Sequence, residues 1–406
     1  MASPFAVRSF RFQWPADLAT SWAFEMEALI LGWYVLSVTG SVQQLVVVAA
    51  LAWLGSLFSP FFGVIGDRIG HRTLLCLTRG AYAVLAAVLT ALTLGGALEP
   101  WHVFAIAAIG GLVRPSDNVM RHVLVGQTMQ PGMLLAALGI SRTTSDTARV
   151  FGALTGTAGV ALVGMGAAYA VVTAMYVAAF VLSLGVARVR PAAVTAHPLA
   201  DLRHGFTYVW KKPDLLGAWS MAFLVNLLAY PFFLGLLPYV AKDVYAIGQA
   251  GLGYLAGAFW AGALAGSLLV GASRLRLRAA RAMLWSAALW FGAIVLFGQT
   301  TTLWIGLPLL FAGGFVHSFC LTPLAAVMLR STEEGMRGRV MGVRMLAIWG
   351  LPLGLLAAGP MIEQLGYATT TFLYAGLGIA VTLAIGYRWR AALWHRSAAA
   401  NAAYAG

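Results

Sequence analysis

The chain has 406 residues, of which 61% are hydrophobic and only 10% are charged, and its formal net charge is +13. Soluble domains carry about 25% charged residues, so this composition excludes a water-soluble globular protein. Apolar runs of about 20 residues recur along the chain, which favours membrane-spanning helices over the short alternating strands of a β-barrel. The 46 glycines fit a helix bundle, because small residues let helices approach closely in lipid.

Twelve apolar runs, each bounded by charges or turn residues, predict twelve transmembrane helices. The first six spans are predicted at 17–38, 42–63, 74–95, 101–122, 134–163 and 166–187. The second six are predicted at 215–241, 248–272, 281–299, 302–329, 338–362 and 366–388. The sequence therefore predicts an all-α membrane protein with 12 transmembrane helices in two six-helix bundles.

A polar stretch in the middle of the chain predicts the domain organisation. We expect an N-terminal six-helix bundle at 1–187, a cytoplasmic linker at 188–213 and a C-terminal six-helix bundle at 214–406. Within the linker, apolar residues at helical spacing are interleaved with Arg203 and Lys211, which is typical of a helix lying along a membrane surface.

The basic residues predict the topology. They cluster in the loops and span ends that share a side with the N-terminus, and Lys242 is the only one in a loop on the other side. By the positive-inside rule, both termini are expected in the cytoplasm of a bacterial cell, with the protein in its inner membrane. The basic residues are scattered among loops and do not form one stripe, so no nucleic-acid partner is expected.

Between the second and third spans stands the segment GVIGDRIGHRTLL, at 63–75. It resembles the signature loop of the major facilitator superfamily, G-x-x-x-D-R-x-G-R-R-x-x-L, and departs from it at His71. The matching residues include Gly63, Gly66, Asp67, Arg68, Gly70 and Arg72. The resemblance implies alternating access. It also implies that Asp67 faces the start of span eleven, at Arg337 and Arg339, as a latch between the halves on the cytoplasmic side.

Three further segments resemble the enterobactin-exporter-like and macrolide-efflux-like drug:proton antiporter branch of that superfamily. They are GWYVLSVTGS at 32–41, GFTYVWKKPDL in the linker and RGRVMG at 337–342. On the fifth span, the proline of the antiporter pattern G-P-x-x-x-G-G is missing, while Gly152, Gly156 and Gly159 remain. The resemblance implies export of a small amphipathic molecule, drug-like or siderophore-like, in exchange for protons.

Ionisable residues inside the spans are functional candidates, because a charge in the bilayer is costly unless it is paired or meets water. The proton-coupling candidates are Glu27, Glu25, Asp117 and Asp146. Glu25 and Glu27 are about 200° apart around a helix, so they cannot face the same cavity. We favour Glu27, which shares a stripe with Phe24 and Tyr34. A purely structural ion pair is an equal alternative for either carboxylate.

Spacing suggests partners for the other charges. Arg142, Asp146 and Arg149 fall on one helix face and are expected to form a compensated ladder. Asp117 is expected to pair with Arg114, Arg121 or Arg72 in support of the signature loop. Candidates for lining a substrate cavity are Tyr34, Arg149, Asn226 and His317. For His317 and Asn226, a hydrogen-bonded packing role is the alternative.

The leading function is proton-coupled export by a monomer in the lipid bilayer, with a small molecule and protons as partners. An uptake symporter for a sugar or organic acid, and a non-transporting receptor or scaffold, are the alternatives. The sequence contains no nucleophile elbow, phosphate loop or paired metal-ligand motif. We therefore expect no enzyme activity, no metal and no cofactor.

Overall fold

A computed structural model of the protein describes residues 3–188, 198–272 and 278–394. These residues form helices joined by short turns, with no β-strand among them. The helices of the first half are α1 (Arg8–Thr39), α2 (Val42–Leu51), α3 (Ser59–Ile69), α4 (His71–Leu94), α5 (Pro100–Thr128) and α6 (Pro131–Ser183). Those that follow are α7 (Pro198–Lys211), α8 (Pro213–Leu228), α9 (Pro231–Leu234), α10 (Leu237–Tyr239), α11 (Gln249–Ala272), α12 (Ala279–Gly298), α13 (Leu303–Arg330), α14 (Arg337–Leu346), α15 (Gly350–Leu365), α16 (Tyr367–Arg388) and α17 (Arg390–Trp394).

The expected twelve-helix fold in two six-helix bundles is confirmed. Within the described ranges, seven helical segments are long and apolar enough to cross a membrane, with α14 and α15 together counted as one. Shorter apolar helices supply other spans. The long helix α6 contains two spans, because Gly164 breaks it with φ 82° and ψ 165°. This break lies between the predicted spans 134–163 and 166–187, in a backbone conformation that glycine adopts without strain.

Three spans are interrupted, which the apolar runs did not indicate. The second span consists of α2 and α3, the seventh of α8 to α10, and the eleventh of α14 and α15. In the seventh, Pro231 is the first residue of α9 and Pro238 is the second residue of α10. Proline cannot donate the backbone hydrogen bond that would continue a preceding helix. A π-helical turn at Val240–Val244 then ends the span.

The signature segment is mostly helix. The predicted second span ends at residue 63, but α3 continues to Ile69 and α4 begins at His71. Gly70 alone forms the turn, with φ 93°, a value that favours glycine. We call the end of the bundle that carries Gly70 the signature end, and the end that carries Gly40 and Lys242 the opposite end.

Within the second half, α11 and α13 touch backbone to backbone. A Cβ added to Gly262 would overlap the carbonyl oxygen of Phe311, and one added to Gly314 would overlap that of Phe259. Only glycine permits so close an approach, and such small-residue contacts replace the hydrophobic effect as the source of helix association in lipid. In the first half, α6 packs against α1 and α4.

The two halves meet mainly along α6 with α11 and α2 with α15. Gly253 of α11 lies against Thr157, and Gly257 lies against Leu154. Near the opposite end, a Cβ on Gly32 would come within 3.1 Å of Pro238. The domain boundaries given above stay predictions, and residues 189–197 of the linker lie outside the described residues.

Candidate functional site

Glu25 lies at the contact between the two halves. Its Oε1 accepts a hydrogen bond of 2.7 Å from Nε1 of Trp260, on α11. The guanidinium of Arg149 lies over the ring of Trp260, 4.6 Å from its centroid. A Cβ on Gly152 would come within 2.8 Å of the Glu25 Cβ, so glycine is what lets α6 approach α1 here. We call Glu25, Arg149 and Trp260 the interface cluster.

The expected ladder on α6 is present and adjoins this cluster. Asp146 Oδ2 lies 3.0 Å from Arg142 Nε, and Asp146 Oδ1 lies 3.6 Å from Arg149 Nη1. Ser267 on α11 also donates a hydrogen bond of 3.3 Å to Asp146. Both Glu25 and Asp146 therefore accept hydrogen bonds from the second half of the protein.

Glu27 has its partners inside the first half. It accepts hydrogen bonds from Tyr169 and Tyr176, at 2.7 Å for Tyr176, and both tyrosines lie on the part of α6 after Gly164. Tyr34, which was expected on the same cavity face, donates a hydrogen bond to the carbonyl of Leu98 at 2.8 Å. The sequence favoured Glu27 as the cavity-facing carboxylate, but the contact across the halves belongs to Glu25. A role of Glu27 in proton coupling stays a prediction.

Asp117 belongs to a buried cluster of four charges. Arg79 donates hydrogen bonds to Asp117, at 3.0 Å, and to Asp17. Arg121 pairs with Asp117 and approaches Asp17 to within 3.6 Å. Arg79 is fully buried, and Ser183 accepts another of its hydrogen bonds at 2.7 Å. Two carboxylates thus balance two guanidinium groups. Such pairing is what allows charged side chains to be buried inside a membrane-spanning bundle.

Two of the partners expected for Asp117 are elsewhere. Arg114 lies over the rings of Phe24 and Trp53, at 3.1 and 4.1 Å from their centroids. Arg72 donates a hydrogen bond to the carbonyl of Leu184. Sequence reasoning missed Asp17 and Arg79, although both are charges close to or within apolar runs and could have been found by the same criterion as Asp117.

Asp67 in the signature segment pairs with the next turn of helix. Its Oδ1 lies 3.1 Å from Nε2 of His71, the residue that departs from the family pattern. A Cβ on Gly66 would come within 2.8 Å of the Met120 sulfur, so Gly66 allows α3 to lie close to α5. Helix α3, which also contains Gly63 and the exposed Arg68, does contact α14. The latch itself stays a prediction.

Arg339, one expected partner of the latch, instead pairs with the linker helix. Its Nε and Nη2 lie 2.8 and 2.7 Å from Asp201 Oδ1 on α7. Glu333 lies 3.1 Å from Lys212 and accepts a hydrogen bond of 3.0 Å from Tyr208. The hydrogen bond with Tyr208 raises the pKa of Lys212, and the hydrogen bond with Lys212 lowers the pKa of Glu333. These contacts attach α7 to the segment between α13 and α14.

In the second half, His317 lies in an aromatic cluster. Its Nε2 is 2.7 Å from the hydroxyl of Tyr230, and its ring centroid is 4.9 Å from that of Trp290. The buried atoms His317 Nδ1 and Trp290 Nε1 have no hydrogen-bond partner. Asn226 donates a hydrogen bond to the carbonyl of Ala222 on its own helix. Within the described ranges there is no group of three or more His, Cys, Asp or Glu residues that could hold a metal ion.

The fold is similar to that of several solved transporters. The nucleoside transporter NupG has a TM-score of 0.74 at 13% identity, covering 96% of this chain and 100% of that one. The human organic anion transporter MFSD10 (TETRAN) has a TM-score of 0.67 at 17% identity, covering 95% and 100%. A bacterial homolog of the human lysosomal transporter Spinster, solved in an inward-facing and unoccupied conformation, has a TM-score of 0.71 at 14% identity, covering 97% and 98%.

At these identities the structural similarity establishes the fold alone. No curated protein sequence matches the chain. The family described as Major Facilitator Superfamily matches residues 14–355, which is most of the chain. The chain therefore belongs to the major facilitator superfamily, and it is a multi-pass membrane transporter rather than an enzyme.

Proposed function

We propose that this transporter exports a small amphipathic molecule, drug-like or siderophore-like, in exchange for protons by alternating access. The observation that carries the proposal is the hydrogen bond between Glu25 and Trp260, which joins the two halves. In alternating access the halves rock against each other around a central site, so a contact between them breaks and re-forms in every cycle. Glu25 is thus an ionisable group whose surroundings depend on the state of the transporter.

Glu27 differs from Glu25 in this respect. Both of its hydrogen-bond donors, Tyr169 and Tyr176, belong to the same half as Glu27 and move with it. A group can couple proton binding to a conformational change only if its interactions differ between the two states. The geometry therefore favours Glu25 for coupling, and Glu27 for holding α1 against the second part of α6.

The coupling follows from the charge on Glu25. A hydrogen bond to a carboxylate is about twice as strong as one to a neutral group. Protonation of Glu25 weakens the bond from Trp260 and removes one of the negative charges near Arg149, which keeps Asp146 as its ion-pair partner. The halves then separate more easily, and an amphipathic substrate can take the place of the carboxylate beside the ring of Trp260 and the guanidinium of Arg149.

The direction and substrate class rest on the resemblance of three segments to drug and siderophore exporters. The solved neighbours transport substrates as different as nucleosides and organic anions, so the shared fold does not select among them. One observation favours uptake symport as a second candidate. The unpartnered polar atoms of His317 and Trp290 suit the hydroxyl or carboxyl groups of a sugar or organic acid.

The test uses purified protein in proteoliposomes, with a pH gradient imposed in either direction and a panel of fluorescent amphipathic compounds. For the unmodified protein, we expect accumulation only when the substrate moves against the proton flow. We expect Glu25→Gln to keep substrate exchange but to lose gradient-driven accumulation. Glu363→Gln, which changes an exposed carboxylate on α15, is the matched control. If accumulation follows the proton flow, the uptake alternative replaces export. If Glu27→Gln loses gradient-driven accumulation and Glu25→Gln keeps it, coupling lies inside the first half. If both variants keep gradient-driven accumulation, Asp117 and Asp146 are the next candidates.

A further inference from the structure

A groove runs along the outer surface of the first half at the signature end, between α4 and the end of α6. Its volume is about 650 Å³, within the range of about 300–1,000 Å³ typical of ligand sites. Most of its lining is apolar, with the polar residues at one end. The lining residues are Arg72, Thr73, Cys76, Leu77, Gly80, Ala81, Ala83, Val84, Phe180, Leu184 and Arg188.

The apolar part of the groove faces the hydrocarbon of the bilayer. Leu77 and Val84 are 60% and 63% exposed although they lie in a membrane-spanning helix. From Arg72 to Val84 the helix rises about 18 Å, close to the depth of one leaflet, which is about half of the 30 Å hydrocarbon core. The groove therefore has the length of a lipid acyl chain.

Two arginines close the groove at the signature end, and neither has a countercharge in the described part of the chain. Arg72 uses Nη2 to donate a hydrogen bond to the Leu184 carbonyl, which leaves its buried Nε without a partner. No carboxylate of the described residues pairs with Arg72 or with the exposed Arg188. The buried Nε of Arg72 is therefore a charged donor without an acceptor. An anionic oxygen at this position would supply both the acceptor and the countercharge.

We propose that this groove binds one anionic phospholipid. Its phosphate lies between Arg72 and Arg188, and one acyl chain lies along Cys76, Gly80 and Phe180. Basic pockets between membrane helices recognise anionic headgroups by this combination of positive charge and apolar surface. Since Arg72 belongs to the signature segment and lies in the first turn of α4, the bound lipid would join the start of α4 to the end of α6 at the signature end.

Native mass spectrometry of the full-length protein in detergent, titrated with phosphatidylglycerol or phosphatidylcholine, tests the proposal. We expect the protein to retain phosphatidylglycerol. The double variant Arg72→Gln/Arg188→Gln is expected to weaken this binding by about tenfold or more, because the loss of a single hydrogen bond to a charged group already lowers affinity by about that factor. Arg330→Gln/Arg388→Gln removes two exposed arginines from other helix ends and is the matched control. Ala81→Trp fills the groove without changing its charge and is expected to lower retention as well.

Three results would overturn the proposal. Equal retention of phosphatidylcholine would show that the arginines do not select the headgroup. An equal loss in the control pair would show that net charge alone attracts the lipid. Retention in Ala81→Trp, together with competition by inorganic phosphate, would indicate a site for a free anion instead of a lipid. Size-exclusion profiles and thermal unfolding of each variant separate loss of binding from loss of the fold.

Discussion

The indole nitrogen of Trp260 donates a hydrogen bond of 2.7 Å to the carboxylate of Glu25, and this bond joins α11 to α1 across the two halves. Ser267, two turns further along α11, makes a second contact of the same kind with Asp146. The first half thus supplies the acceptors and the second half the donors, so any change in the charge of Glu25 or Asp146 acts on the contact between the halves.

Trp260→Phe is expected to favour separation of the halves, because it removes the donor and keeps an aromatic ring beside Arg149. A hydrogen bond to a charged group contributes about 1.5–3 kcal/mol, enough to shift the equilibrium by about tenfold or more. The measurement is the distance distribution between spin labels at positions 162 and 304, where Leu162 and Trp304 are exposed on different halves. Trp285→Phe, on an exposed tryptophan of α12, is the control, and an unchanged distribution in Trp260→Phe would show that the bond does not hold the halves together.

Arg79→Leu is expected to destabilise the protein by about 3–5 kcal/mol, because it leaves Asp17 and Asp117 buried with one guanidinium between them. A thiol-reactive dye measures thermal unfolding, since both cysteines, Cys76 and Cys320, are buried and free in the folded protein. Arg330→Leu, at an exposed position on α13, should unfold like the unmodified protein. An unfolding temperature for Arg79→Leu equal to that of the control would contradict the structural role of the four-charge cluster.

Asp67→Asn is expected to impair transport without affecting membrane insertion. The change keeps the volume of the side chain but removes the charge that pairs with His71 and that the predicted latch needs. Transport in proteoliposomes and the amount of protein in the membrane are measured together, with the exposed Asp243→Asn as control. If Asp67→Asn transports at the rate of the unmodified protein, the latch is ruled out.

Lys242 is expected to react with an impermeant amine reagent in intact cells, whereas Lys211 and Lys212 are not, because the predicted topology places them on opposite sides of the membrane. Lys242 donates a hydrogen bond of 3.0 Å to the carbonyl of Leu36, so its labelling should be slow and should speed up when the halves separate. Lys242→Arg removes the signal and identifies the labelled site. Labelling of the two linker lysines in sealed cells would show that the topology is the opposite of the predicted one.

Interactions within one helix could be predicted from the sequence, because helical geometry fixes the distance between residues three or four positions apart. The ladder of Arg142, Asp146 and Arg149 is of this kind. The spans were also predictable, since bilayer thickness sets the length of an apolar run. Interruptions within a span were not, because Pro231 and Pro238 leave the hydropathy of the seventh run almost unchanged.

Partners on different helices could not be predicted in the same way. Arg72 and Arg79 are seven residues apart on α4, which is about two turns, so they lie on nearly the same face. Which of them meets Asp117 depends on how far α4 is shifted along its axis relative to α5. Sequence alone also could not decide which of Glu25 and Glu27 contacts the second half. Two residues of offset place them on different faces of α1, and only the packing of α6 and α11 decides which face meets the other half.

Helix α11 carries two kinds of contact. Gly262 lies against a backbone carbonyl of α13, so closely that there is no room for a Cβ atom between the two helices. Trp260 and Ser267 reach the first half through side chains, whose hydrogen bonds can break and re-form by rotation about single bonds. We therefore expect the second half to move as a rigid body. The surface of α11 that meets the first half contains both these side chains and the close contacts of Gly253 and Gly257. A substitution that stiffens this surface would slow turnover while leaving the fold intact.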